Sequence, residues 1–230
     1  MTILVATRNP DKVREIEAIL RGLGVSLVSL ERFGDVPEVV EDCPTLEENA
    51  LKKARTVRDA TGITSLADDT GLEVDFLGGA PGVFSARYAG DGAGYEANNR
   101  KLLAALEGAP DSERTARFRC VMVLALSAED GSLVHRRMAE RGGEGSARVA
   151  DGTTRVDAFV AEGILEGRIA RGKRGSEGFG YDPLFEIPPE GKTLAELGNE
   201  AKNKMSHRYR ALVEIRELLL RWGLASARGE

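Results

Sequence analysis

Residues 67–90 read ADDTGLEVDFLGGAPGVFSARYAG and follow directly on the apolar, β-branched run Ile63-Thr64-Ser65-Leu66. A strand that ends in Asp68-Asp69-Thr70-Gly71 delivers acidic oxygens to a sheet edge, where a turn can fan them toward one point. Oxygen donors of that kind suit a hard divalent cation, which keeps part of its water shell. The glycines at 78, 79 and 82 permit backbone shapes and close approaches that bulkier residues forbid. The stretch predicts a strand-edge acidic site in an α/β chain, and the flanking sequence supports that class.

Upstream, Ile3-Leu4-Val5-Ala6 is a short apolar run, read as a buried strand. Asn9 is a good N-cap and Pro10 fits the first helical position, so a helix begins there, with Val13, Ile16, Ile19, Leu20 and Leu23 at helical spacing. Strand, polar loop and helix N-terminus together make a natural phosphate site, to which Arg8 and Lys12 add cationic donors. Residues 25–28 read as a second strand, followed by an acidic loop carrying Glu41 and Asp42. Thr45 and Glu48 have capping-box spacing at the head of another helix, while Glu41, outside it, remains available to a metal.

Downstream, residues 95–106 form a helix candidate and 116–127, ARFRCVMVLALS, the strongest strand in the chain. Residues 128–158 are charged and Gly-rich, and they predict an exposed hairpin or loop insertion. His135, set among arginines, reads as a solvated surface residue. A β pattern resumes at 158–170. In GKRGSEGFGYDPLFE, residues 172–186, Phe179 and Tyr181 read either as ordinary packing or, because glycines on both sides of Phe179 clear its ring, as a face for stacking. A short helix begins near Lys192, and Ser206 caps a longer one that buries Leu212, Ile215, Leu218, Leu219 and Trp222. His207 and Arg208 then fall in its first turn, where cations are disfavoured by the helix dipole, which points to a nearby anion or acceptor. Helical and strand patterns alternate throughout, so the fold class is α/β with a mixed sheet.

A hydrophobic fraction of 42% supports a full core, and a net charge of −5 argues against a broad nucleic-acid footprint. Two cysteines without CxxC spacing imply neither a disulfide framework nor a structural zinc site, and fit a reducing cytoplasm. The first residues turn polar at Arg8 too soon for a signal peptide, and no run approaches the length of a membrane span.

TRNPDK at 7–12, ENALKKA at 48–54, residues 67–90, EGFGYDPLF at 177–185 and SHRYRAL at 206–212 together resemble the Ham1/inosine triphosphate pyrophosphatase family. The resemblance spans most of the chain, departs from the family at 128–158, and has Thr70 where many members carry serine. It implies a single domain over residues 1–230 with an elongated mixed sheet and two lobes flanking an active-site cleft, commonly a homodimer. It implies Mg²⁺-dependent hydrolysis of non-standard purine nucleoside triphosphates (ITP, dITP, XTP) to the monophosphate and pyrophosphate. Asp69 is then the general base, and Glu41, Asp69 and Asp68 are the metal ligands. Thr7, Arg8, Asn9, Pro10, Asp11, Lys12, Lys53 and Thr70 hold the triphosphate. Phe179 stacks on the base with Gly180 and Tyr181 beside it, Asp182 accepts from N1–H, and Lys202, His207 and Arg208 donate to the 6-oxo group. A nucleotide sensor would keep the phosphate loop without the carboxylates, so Asp68 and Asp69 disfavour that reading.

Overall fold

The computed structural model describes residues 1–34, 36–141 and 156–226. Its elements run β1 (Thr2–Val5), α1 (Pro10–Leu20), β2 (Ser26–Ser29), α2 (Leu46–Thr61), β3 (Ser65–Val74), β4 (Pro81–Gly82) and α3 (Tyr95–Ala105). There follow β5 (Thr115–Ala125), α4 (Ala128–Glu140), β6 (Ala158–Ile169), β7 (Phe185–Ile187), β8 (Lys192–Thr193), α5 (Leu194–Met205) and α6 (His207–Arg221). The strands form one mixed sheet in the order β2-β1-β3-β5-β6-β7-β8, with β4 paired to β3. Strand β1 lies parallel to both β2 and β3, with Val5 opposite Ser29 and Leu66. Ile3, Leu4 and Val5 are all fully buried, as expected of a parallel strand covered on both faces. β4, β7 and β8 add antiparallel pairs, so the expected mixed α/β class holds.

Two compact units share these strands. The first comprises Met1–Asp69, Val121–Glu162 and Arg210–Glu230; the second comprises Thr70–Cys120 and Gly163–Tyr209. The first has a core from β1, the buried faces of α1 and α2, and Leu212, Ile215, Leu219 and Trp222 of the C-terminal segment. The second is built around Leu72, Val74, Leu102, Phe118, Leu165, Tyr181, Leu184 and Phe185. Among the described residues, no helix is long and apolar enough to cross a membrane.

Local signals placed the helix starts well. Asn9 caps α1 by accepting from the Asp11 N–H, Thr45 caps α2 by accepting from the Glu48 N–H, and the Ser206 hydroxyl accepts from the Tyr209 N–H. The structure corrects the expectation for Ala128–Glu140. Instead of a hairpin or loop, these residues form a regular helix, capped by Ser127 through the Asp130 N–H. Gly131 disguised it, because glycine early in a helix weakens the pattern; a Cβ there would lie 3.5 Å from the Val156 carbonyl oxygen, in close packing. Val134 is the helix's one buried residue, so no apolar stripe marks it, and the half-buried Arg137 donates its guanidinium to the Trp222 carbonyl. His135 is exposed, as expected. The remainder of the expected insertion, 142–155, lies outside the described residues.

Candidate active site

In the first unit, α1 and α2 each send one lysine to the Asp68–Asp69 pair, which lies within β3 and not at its end: the strand expected to stop at Asp68–Gly71 runs on to Val74. The Lys12 ammonium pairs with Asp68 Oδ2 at 2.9 Å. The Lys53 ammonium donates to Glu41 Oε1 at 2.7 Å and to the Asp68 carbonyl at 2.5 Å, and stands 3.7 Å from Asp69 Oδ1. Glu41 is held in place by its neighbours. Lys52 donates to the Val40 carbonyl and pairs with Asp42, while the buried Asn49 amide bonds to both backbone groups of Cys43. A loop without secondary structure thereby presents one carboxylate in a fixed place.

The electrostatics follow from that packing. Burial acts to lower the Lys53 ammonium, but the carboxylates of Asp69, Asp68 and Glu41 outweigh it, and its pKa is raised. Asp69 is raised as well, because burial disfavours its charge by more than Lys53 restores. A buried carboxylate with raised pKa and a lysine 3.7 Å away marks Asp69 as a candidate functional residue.

Among the described residues, no group of three or more His, Cys, Asp or Glu side chains is arranged around one metal position. The expected trio is divided: Asp68 faces Lys12, whereas Glu41 and Asp69 share Lys53. Neighbouring strand residues point to opposite faces, which accounts for the separation of the two aspartates. Glu41 and Asp69 still fit a hard cation, since Mg²⁺ is commonly held by one or two carboxylates with substrate phosphates and water.

The loop at the N-terminus of α1 is ordered by its own side chains. The Thr7 hydroxyl accepts from the Asn9 N–H, Asn9 Oδ1 accepts from the Asp11 N–H, and Asp11 pairs with Arg14. Arg8 and Pro10 are exposed.

In the second unit, Phe179 is half-buried and carries the Lys202 ammonium 4.2 Å from its ring centroid and the Arg208 guanidinium at 5.9 Å. Asp182 is buried and braces the backbone, since its Oδ2 accepts from the Phe179 N–H at 2.9 Å and from Lys202 at 2.8 Å. Gly178 sits at φ +77°, and a Cβ there would fall on that same carboxylate oxygen. Tyr181 is buried too, with its hydroxyl donating to the Ser85 carbonyl at 2.8 Å, and burial pushes its pKa up. His207 stacks on Phe118 with ring centroids 4.7 Å apart, and Arg208 donates to the Thr70 hydroxyl at 3.3 Å.

Three helpers escaped the sequence reading. The Ser85 hydroxyl accepts from the Leu72 N–H and donates to the Gly82 carbonyl. Asn98 bonds the Ala89 N–H and the Ala86 carbonyl, and Asn99 donates to the Gly180 carbonyl at 3.0 Å. The available signal was two consecutive asparagines inside a helix, a residue type that prefers caps and turns unless tied down.

A carboxylate–lysine site with a helix-terminal polar loop, and an aromatic ring flanked by buried cations, define a class: α/β proteins that handle phosphorylated aromatic ligands. The Ham1 family matches the chain over residues 3–218. The dITP/XTP pyrophosphatase of Geobacter sulfurreducens is 48% identical over 217 residues, covering 94% of this chain and 96% of that protein. The dITP/XTP pyrophosphatase of Bacillus subtilis is 40% identical over 216 residues, covering 94% and 96%. A HAM1 protein from Coxiella burnetii superposes with a TM-score of 0.78 at 38% identity, over 96% of this chain and 99% of that one. This chain belongs to the Ham1 family.

Proposed function

We propose that this protein hydrolyses non-standard purine nucleoside triphosphates, ITP, dITP and XTP, to the monophosphate and pyrophosphate. The observation that carries the reading is the Lys12–Asp68 and Glu41–Lys53–Asp69 arrangement at the middle of β3, supported by the activity in the names of relatives that align over nearly the whole chain. Water attacks the α-phosphorus, Asp69 accepts its proton, and the bond from the α-phosphorus to the α–β bridging oxygen breaks, so that pyrophosphate leaves. Lys12, Lys53 and the Thr7–Lys12 loop hold the phosphates, and Glu41 and Asp69 would hold a Mg²⁺ ion. When bound, that ion neutralises phosphate oxygens and lowers the pKa of its water. The base goes to the second unit's residues: Phe179 offers its ring, and Lys202, His207 and Arg208 supply donors suited to a 6-oxo group. Adenine presents N6–H₂ there, and buried donors left without an acceptor discriminate strongly. Asp182 serves first to hold Lys202 and the Phe179 turn.

We assign the protein to the cytoplasmic nucleotide pool and expect a homodimer, to be read from light scattering. Product analysis tests the reaction class: ITP with Mg²⁺ yields IMP and pyrophosphate, and a chelator stops it. Formation of IDP and orthophosphate would overturn the assignment.

A further inference from the structure

Helix α3 has no part in the reaction described so far, yet five of its side chains reach two of the chain's motif loops. Asn98 bonds Ala86 and Ala89 in the 85–90 turn, Lys101 donates to the Tyr88 carbonyl in the same turn, and Glu96 pairs with Lys173 at the start of the glycine-rich loop. The other two meet consecutive residues of the base-binding cluster. Tyr95 lies with its ring centroid 6.1 Å from that of Phe179, tilted by 38°, and Asn99 donates to the Gly180 carbonyl at 3.0 Å. Tyr95 and Asn99 are four residues apart and therefore share one face of the helix. Gly180 sits at φ +64°, in the left-handed region, and the carbonyl that Asn99 holds belongs to the Gly180–Tyr181 peptide, while the Phe179 carbonyl accepts from the Asp182 N–H at 3.2 Å. Asn99 is 3% exposed, so its amide donor is withdrawn from solvent and fixed on that carbonyl.

From this geometry we infer that Tyr95 and Asn99 are positioning residues that set the plane of Phe179, and through it the affinity for the purine base. The inference rests on the proposed pyrophosphatase reading. Tyr95 limits the ring from one side by an aromatic contact, while Asn99 fixes the Gly180–Tyr181 peptide, one residue beyond it. Lys202 and Asp182 anchor the same residue from elsewhere, through the ring and the N–H. Phe179 is thus held at its ring, its N–H and its carbonyl, with the Gly180–Tyr181 peptide fixed one residue beyond, as a stacking platform requires if it is to discriminate by geometry. Tyr95 is 46% exposed, so its loss leaves the core intact.

The test compares Tyr95→Ala, Tyr95→Phe and Asn99→Ala with the wild type, reading kcat and KM for ITP and inhibition by inorganic tripolyphosphate, which lacks a base. Aromatic contacts and single hydrogen bonds of this kind correspond to roughly three- to tenfold in affinity. Tyr95→Ala and Asn99→Ala should each raise KM for ITP by about that factor, with kcat within about twofold, tripolyphosphate inhibition unchanged and Tyr95→Phe like wild type. KM unchanged in both alanine variants, or tripolyphosphate inhibition weakened as much as ITP binding, overturns the inference while leaving the pyrophosphatase reading in place. Failure of the wild type to release pyrophosphate from ITP removes that reading itself.

Discussion

The two charged clusters, one in each unit, differ in burial and in charge balance: Lys12 and Glu41 of the first are half-buried, whereas Lys202, Arg208 and Asp182 of the second are buried, and the net charges have opposite signs. In the first unit, two ammonium groups, Lys12 and Lys53, stand among three carboxylates, Glu41, Asp68 and Asp69, a net negative set. In the second, Lys202 and Arg208 gather at Phe179 with one carboxylate, Asp182, a net positive set. The first cluster therefore suits a divalent cation, and the second suits an acceptor such as a 6-oxo group. The difference also assigns the kinetics: changes in the first cluster should act on turnover, and changes in the second on selection.

The largest effect is expected from Asp69→Asn, which keeps nucleotide affinity but lowers kcat by about 10²–10⁴, the usual contribution of a general base. Near-normal turnover would remove Asp69 from that role. Next comes Lys202→Met in the other cluster, which should narrow the preference for ITP over ATP by roughly tenfold or more, chiefly through KM for ITP. A fall confined to kcat would break the comparison. Lys53→Met leaves Glu41 and Asp69 facing one another without their shared ammonium and should cost about 3 kcal/mol in a denaturant titration, partly restored by Mg²⁺. No recovery with Mg²⁺ would argue against a cation at Glu41 and Asp69. The smallest effect belongs to Ser85→Ala, which removes a buried partner of the Leu72 N–H and should lower stability by about 1–2 kcal/mol, with kcat retained.

What the sequence shows of this architecture depends on how local its signals are. Asn9-Pro10, Thr45 with Glu48, and Ser206 each act within one helical turn, and each cap forms where the residue types predict it. Helix α4 leaves little trace in the sequence because Gly131 interrupts it and Val134 is its one buried residue. The hub at Lys53 is non-local: it gathers Glu41 from 12 residues upstream and the Asp68 carbonyl from 15 downstream, which no pattern along the chain encodes. For the same reason the residue types at 179–182 were recognisable, while the inward turn of Tyr181 and Asp182 onto Ser85, Phe179 and Lys202 was not.

The central claim, turnover in one cluster and base selection in the other, is tested most directly by measuring pyrophosphate release from ITP and ATP side by side with Mg²⁺ present. The proposed pairing of Lys202, His207 and Arg208 with a 6-oxo group predicts a kcat/KM for ITP at least about a hundredfold above that for ATP. Equal values for the two nucleotides would contradict it.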